Sequence, residues 1–266
     1  MTELVRAMGW PAGWRGDAQV LALIGSATLV LLMGGVAASS LLGISPILVQ
    51  AGTWLLWLLW LGAVFPRNAT QDASRPCELP YRRAFTREIL IGVGVAFTQI
   101  LRPAITGVIA GGQGLGHSPQ MAAGAVLVAA GLGSTALGVS ALGVARTLFV
   151  FEYVDGQRAV LSSGIYRFLR HPLFLGGTLM SLGLAVWTTD QTAITLGLIN
   201  TLMVPFYIRL EDRRCCTVLG PAYADYRAAV GGMVPRRRVS ISTSALRRQL
   251  SGSAGPTTER NRVSRL

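Results

Sequence analysis

The polar residues best suited to chemistry lie in two short segments toward the C-terminal end of the apolar region. Residues 161–176 read Leu-Ser-Ser-Gly-Ile-Tyr-Arg-Phe-Leu-Arg-His-Pro-Leu-Phe-Leu-Gly, with Arg170 and His171 directly before a proline. Residues 209–214 read Arg-Leu-Glu-Asp-Arg-Arg. Cationic side chains can bind an anionic ligand group, and carboxylates accept hydrogen bonds from hydroxyl or amino groups. The two segments together are suited to a polar ligand at the edge of an apolar region.

A helical hairpin would bring these two segments together. Residues 172–189 and 191–208 are apolar and nearly abut, so they predict two helices joined by a tight turn. Gly164 permits a turn before the hairpin, and Pro172 can occupy the first turn of its first helix. Arg170 and His171 would then face the acidic pair Glu211 and Asp212. The same arrangement would also suit an ion pair that closes a hairpin and binds no ligand.

Four further apolar stretches precede this hairpin, and a bilayer core needs about 20 helical residues per span. All 24 basic residues are arginines, and Arg102 alone lies within an apolar stretch, since the others fall in alternate connections and the terminal segments. The positive-inside rule then places both termini in the cytoplasm. We therefore predict an all-α, polytopic transmembrane bundle of about six spans. The predicted stretches are residues 18–40, 46–65, 88–110, 119–145, 172–189 and 191–208.

The chain divides by composition into three parts. Residues 1–145 hold the first four spans, residues 146–235 hold the hairpin with both polar segments, and residues 236–266 form an Arg/Ser-rich tail. The tail is too polar to bury a core, so we predict that it is disordered and cytoplasmic. Its first arginines are placed to contact anionic lipid headgroups, which makes membrane lipid an expected partner.

The composition excludes several classes of function. The chain has 266 residues, 51% of them hydrophobic and 14% charged, with a net charge of +12. Nucleic-acid binding would need a soluble basic domain, and none is visible. The absence of lysine excludes a P-loop and Schiff-base catalysis. Two histidines and three cysteines without ligand spacing predict no metal site and no disulfide framework.

Within the predicted spans, small and polar residues also carry expectations. Gly107-x-x-x-Gly111 and the glycines at 131, 133, 138 and 143 predict close helix packing. Arg102, next to Pro103, predicts a functional cavity, a buried polar pair or a snorkelling side chain, because an arginine inside a membrane is costly. Three tryptophans at every third position, from 54 to 60, predict a lipid-facing or packing face rather than a ligand cage.

The polar segments resemble the isoprenylcysteine carboxyl methyltransferase family and its phospholipid methyltransferase relatives. The resemblance rests on Gly-x-Tyr followed by Arg-His-Pro at residues 164–172, an acidic pair about 40 residues later, and Gly-x-x-Tyr-x-x-Tyr at residues 220–226. These elements occur in the family's order over residues 142–235. The resemblance implies an integral membrane enzyme that transfers a methyl group from S-adenosyl-L-methionine.

The resemblance also implies roles for individual residues. Arg170 would act electrostatically at the reacting end, and Tyr207 and Arg209 would contact the substrate. The acceptor would be a small lipophilic molecule, with carboxylate O-methylation favoured and S- or N-methylation possible. The residues expected to bind the cofactor are Val160, Leu161, Tyr166, His171, Pro172, Leu173, Phe174, Glu211 and Asp212.

Two departures from the family pattern narrow these expectations. Phe174 replaces the usual tyrosine, and Tyr207 stands where the prenylcysteine branch has an arginine that binds the acceptor's carboxylate. The alternative of an NADPH-dependent membrane reductase of the steroid reductase type is disfavoured, because that group usually has Asn-Tyr where this chain has Leu173-Phe174. A non-enzymatic membrane protein with a degenerate site is the other alternative. The composition favours a bacterial inner membrane.

Overall fold

The computed structural model describes residues 2–10, 13–67, 80–111, 119–153 and 159–236, and these residues form an all-helical bundle. Five helices are long and apolar enough to cross a membrane, which indicates an integral membrane protein. A sixth apolar helix, Pro172–Thr188, has 17 residues. In chain order the helices are α1 Thr2–Ala7, α2 Trp14–Leu42, α3 Pro46–Arg67, α4 Tyr81–Ile109, α5 Pro119–Leu142, α6 Val144–Thr147, α7 Val150–Tyr153, α8 Pro172–Thr188, α9 Gln191–Leu219 and α10 Pro221–Ala229.

The predicted polytopic helical bundle is thus confirmed, but two boundaries were wrong by seven residues or more. Helix α4 begins at Tyr81 rather than at residue 88, and α9 ends at Leu219 rather than at residue 208. Helix α9 continues through its charged run because Asp212 and Arg214 are buried there and bonded to other parts of the protein. The acidic pair therefore lies within a helix, not in a segment that follows one.

Helices α5 and α8 make the closest helix contact in the bundle, through glycines spaced seven residues apart. A Cβ atom added to Gly131 would lie 2.7 Å from the carbonyl oxygen of Gly176, and one added to Gly183 would lie 2.8 Å from that of Gly124. Backbones can approach this closely only where no side chain separates them. The contact fixes α8, and with it the Arg-His-Pro segment at its start.

Not every glycine predicted to pack does so. Gly138 contacts Leu173 and Pro172, and Gly107 faces Thr188. An added Cβ at Gly133 would meet nothing within 4 Å, since this glycine is on an exposed face of α5. Gly143 instead ends α5, where it adopts a positive φ of 81°. An added Cβ at Gly111 would also meet nothing within 4 Å, so the expectation of close packing was wrong for Gly111, Gly133 and Gly143.

The start of α8 is held by the chain that follows α10. The backbone N–H groups of Arg170 and His171 donate to the carbonyls of Gly231 and Gly232, at 2.8 and 3.1 Å. An isolated parallel bridge pairs Leu169 with Gly231. Pro172 occupies the first helical turn, as predicted. These bonds fix the backbone of Arg170 and His171, which the sequence singled out. The predicted tail lies outside the described residues from position 237 onward.

Candidate active site

A cavity of about 570 Å³ lies among α3, α4, α5, α8 and α9, and most of the predicted site residues line it. Such a volume is in the usual range for small-molecule sites. The walls are largely apolar. Arg170 and Glu211 line one end, the polar end, and Gln99 and Asn200 line the other. The predicted residues along it are Val160, Leu161, Tyr166, Arg170, His171, Pro172, Leu173, Phe174, Tyr207 and Glu211.

Glu211 is the acidic residue of the predicted pair that lines the cavity. One of its carboxylate oxygens lies 3.5 Å from the guanidinium of Arg214. Arg214 is itself buried and forms a 2.8 Å ion pair with Glu152. Its guanidinium lies between the rings of Phe65 and Phe149, at 4.5 and 4.4 Å from their centroids. Arg214 is thus placed by ion pairs and by two aromatic rings, and its charge neutralises and orients the carboxylate of Glu211.

Asp212, the second member of the pair, does not line the cavity. Its Oδ1 atom accepts from the hydroxyl of Tyr223 at 2.7 Å and lies 2.9 Å from His171 Nε2. Its Oδ2 atom accepts from Arg170 at 3.0 Å and lies 3.6 Å from Nε of Arg227. The carboxylate is therefore fully occupied by protein donors. The structure makes Asp212 a support for the site rather than a wall of it.

Arg170 joins three parts of the site. Besides Asp212, its guanidinium donates to the backbone carbonyls of Arg227 and Val230, at 2.7 and 2.6 Å. Its Nε is buried without a hydrogen-bond partner among the described residues. The predicted closure of the hairpin is correct for Arg170 and His171 with Asp212. It is wrong for Glu211, which pairs with Arg214 instead.

Aromatic rings form one wall of the cavity. The rings of His171 and Phe174 are nearly parallel with centroids 5.1 Å apart, and Phe174 lies 4.4 Å from Tyr207. Trp57 follows at 5.7 Å from Tyr207, and it stacks on Trp60 at 4.9 Å. Trp57 is buried, so this part of the tryptophan face packs inward. A wall of this kind suits an adenine ring or a sulfonium cation.

Tyrosine hydroxyls brace the polar end of the cavity. Tyr226 donates to the carbonyl of Tyr166 at 2.6 Å, and Tyr223 donates to Asp212. Burial raises the pKa of Tyr166, Tyr223 and Tyr226 above the usual tyrosine value. These hydroxyls therefore remain protonated at neutral pH, where they act as hydrogen-bond donors.

Arg209, like Asp212, is a predicted site residue that does not line the cavity. It is exposed, and its guanidinium lies 5.6 Å from the centre of the Phe206 ring. Sequence reasoning also missed Glu152 and Gln99. Arg214 could have been noticed because it belongs to the same charged run as Glu211. Nothing in the spacing of Glu152 marks it, since it reaches Arg214 only through tertiary packing.

The residues that line the polar end are chemically suited to S-adenosylmethionine. Glu211 Oε2 lies 3.5 Å from the Arg214 guanidinium but accepts no hydrogen bond from the described residues, so it can accept one from a ribose hydroxyl or an amino group. The start of α8 and the Arg170 guanidinium offer positive potential for a carboxylate. In the described part of the chain, no three His, Cys, Asp or Glu side chains form a group that could hold a metal ion.

A comparison with known protein families matches the part of the chain that contains most of the candidate site. Residues 119–217 match the family model described as Phospholipid methyltransferase. The predicted resemblance is thereby confirmed, over a range that includes the Arg-His-Pro segment and the acidic pair and ends before Tyr223. No solved structure is significantly similar to the chain.

Two curated proteins are similar to part of the chain. One is the cobalt-zinc-cadmium resistance protein CzcN of Cupriavidus metallidurans, 36% identical over 104 residues, which are 38% of this chain and 47% of that protein. The other is methanethiol S-methyltransferase of a Pseudomonas species, 30% identical over 99 residues, which are 36% of each chain. The chain thus matches less than half the length of either relative.

Proposed function

We propose that the protein is an integral membrane methyltransferase that uses S-adenosyl-L-methionine and acts on a small lipophilic acceptor. One observation carries this proposal. Segments of the family region that lie some 40 residues apart, at Arg170–Phe174 and at Glu211, meet along one cavity. The resemblance had assigned both segments to the cofactor.

In this proposal the cofactor occupies the polar end of the cavity. Glu211, oriented by Arg214, accepts hydrogen bonds from hydroxyl or amino groups of the cofactor. Phe174 and Tyr207 cover its flat or cationic parts. Val160 and Leu161 close the opposite side. Asp212 contributes indirectly, because it holds Arg170 and His171 in place.

The reaction requires alignment and the exclusion of water more than acid–base chemistry. When bound, S-adenosylmethionine supplies an electrophilic methyl group, which the acceptor's lone pair takes as the carbon–sulfur bond breaks and a neutral thioether leaves. The apolar walls keep water away from this transfer. Arg170 lines the cavity and provides positive charge there, and an acceptor that is already anionic needs no general base.

The acceptor that best suits these residues is a lipophilic carboxylic acid or thiol. Both are ionised, or readily ionised, nucleophiles, and the cations Arg170 and Arg146 line the cavity. The similarity to a methanethiol S-methyltransferase supports a thiol. The lack of an arginine at position 207 weighs against a prenylcysteine. Both termini would lie in the cytoplasm of a bacterial cell, with the protein in the inner membrane.

Calorimetric titration of the detergent-purified protein tests this proposal. We expect binding of S-adenosylhomocysteine and no binding of NADPH. Binding of NADPH alone would favour the reductase alternative, and binding of neither would favour a non-enzymatic membrane protein. Transfer of a labelled methyl group to panels of alkanethiols and fatty acids would then identify the acceptor class.

A further inference from the structure

The membrane-embedded end of the cavity holds a polar side chain that methyl transfer does not use. Gln99, on α4, lines the cavity, and only 3% of its surface is exposed. Neither the nitrogen nor the oxygen of its side-chain amide has a hydrogen-bond partner within the described ranges. Buried polar groups are nearly always hydrogen-bonded, and an unpaired one is costly. This amide is therefore available to a ligand.

The polar neighbours of Gln99 are bonded to one another. Asn200 Oδ1 accepts from Trp54 Nε1 at 2.7 Å and from the amide nitrogen of Gln50. Asn200 Nδ2 donates to the backbone carbonyl of Gln99 at 2.5 Å and to Ser181 Oγ at 2.7 Å. This network fixes the backbone and the surroundings of Gln99 but leaves its side-chain amide unpaired. The amide is thus positioned by its neighbours without being used by them.

The charged residue nearest to Gln99 along α4 is bonded to other side chains. Arg102, one turn along α4, donates to Gln50 Oε1 and Thr53 Oγ1, both at 3.1 Å, and it does not line the cavity. The charged side chains that line the cavity, such as Arg170 and Glu211, belong to its opposite end. A group that binds Gln99 therefore meets an amide whose polar neighbours along the cavity, such as Ser181 and Asn200, carry no charge. Because an amide both donates and accepts, it pairs best with a group that does the same.

We propose that Gln99 binds a neutral hydroxyl or amide group of the acceptor, remote from the atom that receives the methyl group. This inference rests on the proposed methyltransferase function. Asn200 precedes Glu211 by eleven residues on α9, so the two ends of the cavity lie up to roughly 16 Å apart along the helix. Between them the walls include Ile100 and Val204. The acceptor is therefore an elongated molecule with an apolar body and polar groups at both ends.

A pair of thiols that differ only at the far end tests this inference. The probes are 11-mercapto-1-undecanol and 1-undecanethiol, titrated into the protein with saturating S-adenosylhomocysteine. Tryptophan fluorescence reports binding, because Trp54 and Trp57 line the cavity. The variant is Gln99→Met, with Gln191→Met as the control, because Gln191 is exposed at the start of α9 and takes the same chemical change. Gln99→Leu is a second apolar replacement if Gln99→Met does not fold.

The measured quantity is the Kd of the alkanethiol divided by the Kd of the mercaptoalcohol, compared between proteins. Partition of each probe into detergent is the same for every protein, so it cancels in this comparison. We expect the ratio to fall about tenfold from wild type to Gln99→Met, as the loss of one buried hydrogen bond implies. The ratio should be unchanged in Gln191→Met.

The inference would be overturned if the ratio were the same in wild type and in Gln99→Met. It would also be overturned if neither probe bound to the wild-type protein. The separate titration with S-adenosylhomocysteine distinguishes this failure from that of the proposed function. Normal binding of S-adenosylhomocysteine with an unaffected ratio would refute the role of Gln99 alone. No binding of S-adenosylhomocysteine would refute the methyltransferase itself.

Discussion

Removal of the Arg214 charge should strongly destabilise the protein, because two buried carboxylates depend on it. The side chain of Arg214 is 7% exposed, and those of Glu152 and Glu211 are 4% and 13% exposed. Loss of one partner from a buried ion pair costs about 3–5 kcal/mol, because the remaining charge stays buried and uncompensated. Loss of the contacts with Phe65 and Phe149 adds to this cost.

The variant Arg214→Met keeps much of the volume of the side chain but removes its charge. We expect an apparent Tm lower by roughly 10 °C in detergent, since 1 kcal/mol corresponds to a few degrees in a chain of this size. Binding of S-adenosylhomocysteine should weaken as well, because Glu211 loses the group that orients it. Thermal unfolding and calorimetry measure the two effects.

The neighbouring residue provides the matched control. Arg213 lies on the same helix turn but is exposed, so Arg213→Met should change the Tm by less than about 1–2 °C. The double variant Arg214→Met/Glu152→Gln removes one of the stranded charges and should recover part of the lost stability. Equal Tm values for Arg214→Met and Arg213→Met would refute the conclusion that Glu152 and Glu211 depend on the charge of Arg214.

Three further predictions follow from the packing and hydrogen bonds. Asp212→Asn should weaken S-adenosylhomocysteine binding about tenfold by calorimetry, because it loosens Arg170 and His171 before α8. The control Asp225→Asn, on the exposed side of α10, should leave this binding unchanged. Gly131→Leu should lower the Tm or prevent extraction of folded protein because it separates α5 from α8, while Gly133→Leu should extract and melt like wild type. Tyr223→Phe should cost about 1 kcal/mol in thermal unfolding through the bond lost to Asp212, and an unchanged Tm would contradict that bond's role.

Much of the fold could be predicted because the membrane imposes simple constraints. Backbone polar groups in lipid must be satisfied within the segment, so long apolar stretches become helices. The junction at Pro172 was also predictable, because proline favours the first helical turn. The ends of α4 and α9 were not. Helix α9 extends through charged residues that tertiary ion pairs stabilise. Helix α4 begins with charged residues, of which Arg82 and Arg83 are exposed and Arg87 pairs with the adjacent Glu88. Close helix contacts through glycines were predictable, but which glycines would form them was not.

The site was predicted at the level of segments and less well at the level of side chains. The sequence predicted that Arg170 and His171 lie close to an acidic pair, and in the structure both contact Asp212. Which of the two acids faces the cavity could not be read from the chain. Consecutive helical residues point about 100° apart, so the packing of α9 decides that Glu211 faces the cavity while Asp212 turns to the Arg170 segment. The sequence also could not show that Arg209 faces outward.

The sequence by itself determined the apolar helices and the order of the family motifs, because both are local properties of the chain. The tertiary structure alone decided that Glu152 completes the Arg214 ion pair. It also decided that Gln99 lines the cavity with a side-chain amide that has no hydrogen-bond partner among the described residues. These contacts join residues about 60 to 100 positions apart, such as Glu152 with Arg214 and Gln99 with Asn200. Long-range pairing of this kind has no signature in local spacing, since it depends on how the helix faces pack against one another.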